Sequence, residues 1–290
     1  MSYVIVTDSS ANLTDAIIEE FEIPIISLSF HVGEKEYQSY EKGKPTDLKR
    51  FYDMMRRKEL ITTSLVAPET FRSFFASFLE QGLDVLYIGF SSGLSGTYQS
   101  SVIAADDLAE AYPERTIKTV DSLSACMGQG LLVYHAVNQR RDGKRRDGVY
   151  DWLMENRLRM CHWFTVDDLF FLKRGGRVSS TSAVLGSLLQ VKPVMHTDDA
   201  GKLTVVSKAR GRKQALAALV SHMEQTVIDP QKQTIFIAHG DCEEDAIYLR
   251  DLILNKFTVK NIVIHIIDPV IGAHSGPGTM ALFFLGKNRD

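Results

Sequence analysis

Three serines and two glycines stand directly behind the apolar run VLYIGF (85–90), in the order Ser91-Ser92-Gly93-Leu94-Ser95-Gly96. Glycine lets backbone approach a ligand closely, and the hydroxyls of Ser92 and Ser95 can donate to an anion. So can the free N–H groups of a helix that the pattern predicts to start near Thr97. Ordinary helix capping explains one such turn about as well, because Ser and Thr are preferred at helix starts for their own sake. Three further Ser/Thr-rich stretches, TDSSANLT (7–14), TTSLVAPE (62–69) and VDSLSACMGQG (120–130), shift the balance toward a site where several turns converge.

The same turn contains Gly89-Phe90-Ser91-Ser92-Gly93, the G-x-S-x-G form of a nucleophile elbow. An elbow helix begins right behind its serine, whereas Gly93-Leu94-Ser95-Gly96 postpones the helix here. A serine esterase or thioesterase using Ser91, with His274 as base, is therefore the alternative reading. His274 is the histidine of choice among eight because Gly272-Ala273-His274-Ser275-Gly276-Pro277-Gly278 surrounds it with small residues. It can donate a hydrogen bond to a bound carboxylate; the plain reading is a histidine in a surface turn. Gly276 to Ala281 also fits G-x-G-x-x-A, but no acidic ribose partner follows at the required ~20 residues, so a dinucleotide site is rejected.

The sequence contains neither G-x-x-x-x-G-K-[ST] nor H-E-x-x-H, and its Cys and His spacings match no zinc site, so no cofactor and no metal are expected. Two basic clusters remain: Lys173-Arg174-Gly175-Gly176-Arg177, and Lys208, Arg210, Arg212 and Lys213. They suit solvated faces, or the forked recognition of a phosphate or carboxylate. Acidic residues Asp241, Glu243, Glu244 and Asp245 are most simply the charge-favoured start of a helix.

The elements that must position these groups change character along the chain. To about residue 135, short β-branched runs (3–7, 24–30, 85–90, 116–120) alternate with helix-like segments, which predicts a parallel sheet with ligand-binding turns at the strands' carboxyl ends. The charged stretch QRRDGKRRDG (139–148) reads as a solvated helix end and linker, placing a domain boundary near Gly148. Beyond it, 192–210 forms two strand-like runs around an Asp-Ala-Gly turn, a hairpin, followed by amphipathic helices over 211–227 and 243–257 and strands over 234–240 and 261–268. The expected fold is α/β: a parallel-sheet, Rossmann-like domain (1–150) and an α+β domain with a mixed sheet (151–290), with ligand between them.

Bulk properties agree with a globular chain. Its 290 residues are 44% hydrophobic and 24% charged, with a formal charge of -3 that offers no attraction for nucleic acid. The start has no leader-like pattern and no apolar run reaches the ~20 residues that span a bilayer, so a cytoplasmic protein without stable membrane insertion is expected. Cys126, Cys161 and Cys242 form no C-x-x-C pair and are expected to be small buried hydrophobes in a reducing compartment.

Taken together, VTDSSANLT, TTS at 62–64, FSSGLSGTYQSS at 90–101, VDSLSACMGQGLLV at 120–133, LKRGGRVS at 172–179 and GAHSGPGTMA at 272–281 resemble the DegV family over about residues 3–286. The resemblance implies a two-domain α/β protein, not itself catalytic, that buries a long-chain fatty acid between its domains. Its carboxylate can be phosphorylated, in some bacteria, by a separate fatty acid kinase ATP-binding subunit. By motif, the carboxylate contacts fall on Thr63, Ser64, Ser95 and His274, with Ser92 and Gly96 as the supporting loop. Contacts with the kinase partner or a phosphate fall on Arg174 or Arg177 and on Arg210 or Arg212. Leu65-Val66-Ala67-Pro68 departs from the family pattern, in which glutamine and proline come sooner after the Thr-Ser pair.

Overall fold

The computed structural model describes residues 2–178 and 191–289. The first half contains, in order, β1 (Tyr3–Asp8), α1 (Asp15–Phe21), β2 (Ile25–Ile26), β3 (Ser29–Val32), β4 (Lys35–Gln38), α2 (Leu48–Arg56), β5 (Ile61–Ser64), α3 (Pro68–Leu79), β6 (Asp84–Gly89), α4 (Thr97–Ala111), β7 (Ile117–Asp121), α5 (Met127–Arg141) and α6 (Arg146–Asn156). Strands β2-β1-β6-β7 form the expected parallel sheet, every pairing in it parallel. Its central strands YVIVTD and DVLYIG are buried at every residue, which is why they read as continuous apolar runs and not as alternating ones.

A second, antiparallel sheet of order β4-β3-β5 lies beside the first and was not anticipated. The run PIISLSF divides between the two sheets: Ile25–Ile26 joins β1, and the chain then leaves to form β3, which pairs with β5 so that Phe30 faces Thr63 in register. Thr62, Thr63 and Ser64 therefore lie on a strand and not in a turn. The run IIEEF belongs to helix α1, capped by the Thr14 side chain on Ile17 N–H. The charged stretch 139–148 is the end of α5, a turn through Gly143 (φ +86°) and the first residues of α6, so a helix stands where a linker was expected.

The second half contains β8 (Met160–Thr165), α7 (Phe170–Arg174), β9 (Val191–Thr197), β10 (Leu203–Arg210), α8 (Arg212–Thr226), β11 (Thr234–His239), α9 (Glu243–Lys256), β12 (Asn261–Ile266), α10 (Pro269–Ser275) and β13 (Met280–Leu285). The six-stranded sheet has the order β10-β9-β8-β13-β11-β12 and is mixed, with β11–β12 its one parallel pair. The hairpin is present: Asp198 Oδ1 accepts from Ala200 and Lys202 N–H, and Gly201 takes a left-handed φ of +72°. Two features differ from expectation. Strand β13, MALFFL, was not foreseen and fills the sheet's middle, while His274 belongs to helix α10, leaving only Gly276-Pro277-Gly278 as a turn.

Strands of the parallel sheet come from residues 3–121 and those of the mixed sheet from 160–285, with residue 150 inside α6. One apolar cluster spans both, running from Ile5 and Leu86 through α5 (Leu131, Leu132) to Phe164, Phe236 and Phe283 on the mixed sheet's inner face. The two halves are thus packed through a shared core.

Candidate functional site

Between the carboxyl ends of the parallel strands and the inner face of the mixed sheet lies a cavity of about 210 Å³. One water needs only ~10–15 Å³ by the same measure, so there is room for an extended organic ligand. Most of the wall is apolar: Phe90 and Leu94 from the loop after β6, Phe164 from β8, and Ile267, Val270 and Ile271 around the start of α10. His162 adds a ring that burial holds neutral, its pKa lowered to about 3; its Nδ1 is bonded to Thr197 Oγ1 at 2.8 Å.

Besides His162, Ser275 and Thr279, the polar part of the lining comes from four segments. Thr63 and Ser64 end strand β5, Ser95 and Gly96 precede α4, His274 sits in the last turn of α10, and Arg177 follows α7. Helix α10 packs on both β5 and α7, which brings His274 Nε2 to 2.8 Å from Thr63 Oγ1. A matching couple stands beside it: His31 Nε2 lies 2.8 Å from Ser64 Oγ, two residues farther along the paired strands than its register partner Thr62. Ser95 Oγ accepts from Thr97 N–H at 3.2 Å and is 2.9 Å from Thr97 Oγ1, so it organises the start of α4 while lining the cavity.

Close approach of α7 and α10 explains a glycine. A Cβ on Gly175 would lie 2.1 Å from His274 Nδ1, and one on Gly276 would lie 2.4 Å from the Phe171 ring. His274 Nδ1 is buried and unpartnered among the described residues. Burial, with Arg177 and Arg174 nearby, lowers the His274 pKa to about 4, so the ring is neutral near pH 7. Arg177 is itself depressed by burial, and its guanidinium donates to the carbonyls of Leu94 (3.2 Å) and Gly175. The polar part thus offers two hydroxyl–imidazole couples, the further hydroxyls of Ser95, Ser275 and Thr279, and one guanidinium engaged with backbone.

Of the residues singled out in the sequence, Thr63, Ser64, Ser95, Gly96, Arg177 and His274 line this cavity; Ser92, Arg174, Arg210 and Arg212 are not among its lining residues. Ser92 is exposed, and its N–H is held by Asp121 Oδ1. Arg174 lies over the rings of Phe170 and Phe171, Arg210 is exposed at the end of β10, and Arg212 pairs with Asp245 and Asp167. Of the fifth motif, LKRGGRVS, Ser179 lies outside the described residues.

In two of the four hydroxyl-rich stretches the hydroxyls serve the fold and do not line the cavity. In TDSSANLT, Asp8 accepts from Tyr87 O–H (2.6 Å) and Phe90 N–H (3.0 Å), Ser9 Oγ accepts from Leu28 N–H, and Ser10 Oγ donates to Gln129 Oε1. In VDSLSACMGQG, Ser122 donates to the Ser124 carbonyl, and the segment contributes Ala125 and Cys126 to the cavity wall. Cys126 and Cys161 are buried, as expected, whereas Cys242 is half-buried.

The elbow reading fails on geometry. Ser91 is fully buried, donates to the Gly201 carbonyl at 2.8 Å and accepts from Gly93 N–H at 3.1 Å, while the imidazole meant to activate it is bonded to Thr63. A nucleophile needs its base within hydrogen-bond reach and its oxygen open to substrate. His31 was the residue missed: it sits in a strand that the sequence pattern did not resolve, and only the β3–β5 register brings it to Ser64.

Residues 2–287 match the sequence model described as "Uncharacterised protein, DegV family". The chain belongs to the DegV family. Among DegV relatives it is similar to a DegV domain-containing protein of Clostridium perfringens, 46% identical over 288 residues that cover 99% of each chain. Its fold superposes on a DegV family protein from Thermus thermophilus, reported for fatty acid binding, with a TM-score of 0.88, 27% identity and coverage of 99% of this chain and 100% of the other. A stearic acid-binding protein from Eubacterium ventriosum gives a TM-score of 0.83, 25% identity and 98% coverage of both chains. No helix among the described residues of this DegV chain is long and apolar enough to cross a membrane, and no group of three or more His, Cys, Asp or Glu among them could hold a metal ion.

Proposed function

We propose that the chain is a non-catalytic, cytoplasmic carrier that binds a long-chain fatty acid between domains 1–150 and 151–290, with the carboxylate at Thr63, Ser64, Ser95 and His274. The observation that carries this reading is one cavity with a long apolar wall and a small cluster of hydroxyls backed by the imidazoles of His31 and His274. Affinity comes from the tail, at roughly 0.8 kcal/mol for each buried CH2, and orientation comes from a few donors. The binding of fatty acids by structural neighbours over nearly the whole chain supports the same ligand class.

The hydrogen-bond order follows from the chemistry of a carboxylate, which only accepts. If His274 carries its proton on Nε2, it donates to Thr63 Oγ1, and the Thr63 hydroxyl is free to donate to the ligand. His31 does the same through Ser64. Neutral donors hold the head group without a buried ion pair that would oppose release of its oxygen for transfer. We propose that such release is to the γ-phosphate of ATP on a separate fatty acid kinase subunit, giving an acyl phosphate and ADP. Arg177, at the polar end, and the exposed Arg210 are then the basic residues best placed to meet that subunit or a phosphate.

The reading is tested by denaturing protein purified from cells, extracting with organic solvent and identifying the lipid by mass spectrometry. A near-stoichiometric free fatty acid is expected. A clean extract from folded protein that also takes up no added palmitate overturns the carrier assignment.

A further inference from the structure

Ile267 lines the cavity described above, but its neighbour Asp268 lines a second pocket, of about 260 Å³. The apolar walls of this pocket are Leu13, Ile18 and Leu48, with Tyr40 beside them, and Asp15 and Glu19 stand exposed at its rim. Ser39, also lining it, is only 5% exposed, and its Oγ has no hydrogen-bond partner. The loop carrying it is fixed: Ser39 N–H donates to the Leu28 carbonyl at 2.9 Å and Tyr40 N–H to Ser27 Oγ at 3.0 Å. Asp268 is fixed too, its N–H bonded to Asn12 Oδ1 at 2.7 Å. No ion pair among the described residues reaches Asp15, Glu19 or Asp268.

We infer that this pocket is a second binding site, for a small aliphatic ammonium ion such as a diamine. Asp15 and Glu19 attract a cation, Asp268 can give up its proton to pair with one, and Ser39 Oγ supplies a buried acceptor for an ammonium N–H. A bare metal ion fits poorly, because the lining groups do not come together as metal ligands and the walls are hydrocarbon. Methylene groups suit such walls, and the Tyr40 ring offers a face to a cation. Two lysines also line the pocket, both exposed, and Lys44 is paired with Glu41; burial lowers the pKa of His265, which lines it too, leaving Lys42 as the opposing charge against Asp15 and Glu19. Burial and the neighbouring Asp15 push the Asp268 carboxyl up to about 8, so near pH 7 it holds its proton in the empty pocket and would ionise as an ammonium group enters.

The test is calorimetric titration of the full-length protein with 1,4-diaminobutane at neutral pH, against sodium chloride of equal ionic strength. Saturable one-to-one binding is expected, weakened about tenfold or more in Asp268→Asn and measurably in Ser39→Ala, which leaves every charge in place. Absence of saturation up to about 10 mM, or equal affinity in both folded variants, overturns the site. The inference does not depend on the fatty-acid reading, and its failure would leave that reading untouched.

Discussion

Thr63 Oγ1 and His274 Nε2, 211 positions apart in the chain, share a 2.8 Å hydrogen bond at the polar end of the cavity. The bond joins a strand of the small antiparallel sheet to the last turn of α10, so a ligand oxygen placed there is read by both halves of the molecule. Thr63→Val keeps the shape and removes the hydroxyl. Fatty-acid affinity is expected to fall about tenfold or more, in line with ~1.5–3 kcal/mol for a lost donor to a charged group, with Thr63→Ser close to the parent. Fluorescent fatty-acid displacement measures it, and an unchanged Kd in the valine variant would remove Thr63 from the site.

Gly175 has an ordinary φ, so alanine there is not strained in its backbone; the obstacle is the His274 ring 2.1 Å from the new Cβ. Since α7 and α10 cannot both stay in place, Gly175→Ala is expected to displace the imidazole. Ligand binding should then weaken by about an order of magnitude, with a loss of stability in the ~1–3 kcal/mol range of overpacked positions. Thermal unfolding and ligand titration on the same sample check both effects. Wild-type affinity and stability together would show that the two helices are not held as closely as this contact requires.

Much of the architecture was legible because buried parallel strands such as 85–90 announce themselves as unbroken apolar runs, and the Asp-Ala-Gly turn between β9 and β10 has one natural use. The antiparallel sheet was not, since β3 and β4 are four residues each and β4 is exposed throughout, leaving no alternation to read. His274 looked like a loop residue because glycines flank it, yet those glycines are there to let Phe171, Tyr52 and Asp167 pack against the helix and its following turn. Thr63 and Ser64 were recognisable by motif alone; their imidazole partners depend on a strand register and a helix docking that no local spacing encodes.

Histidines whose pKa is lowered by partial or full burial make the lipid-free protein acid-sensitive. Burial lowers His135 and His274 to about 4 and His162 to about 3, against an ordinary value of ~6.5. Each folded value lies below the unfolded one, so unfolding takes up protons in that interval and stability declines as the pH falls from ~6.5 toward 4. A fatty carboxylate beside His274 favours the charged ring and opposes the shift. Proton NMR titration should therefore show His274 alone moving upward on lipid binding, while His135 and His162 stay put. A His274 titration indifferent to ligand would place the carboxylate elsewhere.

Asp268 behaves in the opposite sense. Its folded pKa, near 8 through burial and Asp15, stands above the ~3.9 of an unfolded aspartate, so the folded chain holds the proton more tightly and stability is lost as pH rises from about 4 through 8. Asp268→Asn mimics the protonated form at every pH. In amine-free buffer the variant should match the parent near pH 4 and exceed it at about pH 8, by on the order of 1–3 kcal/mol once partial solvent access is allowed for. Urea denaturation at the two pH values reads the difference directly. A variant no more stable than the parent at the higher pH would mean that Asp268 ionises freely, and that the loop around Ser39 and Tyr40 opens to water instead of enclosing it.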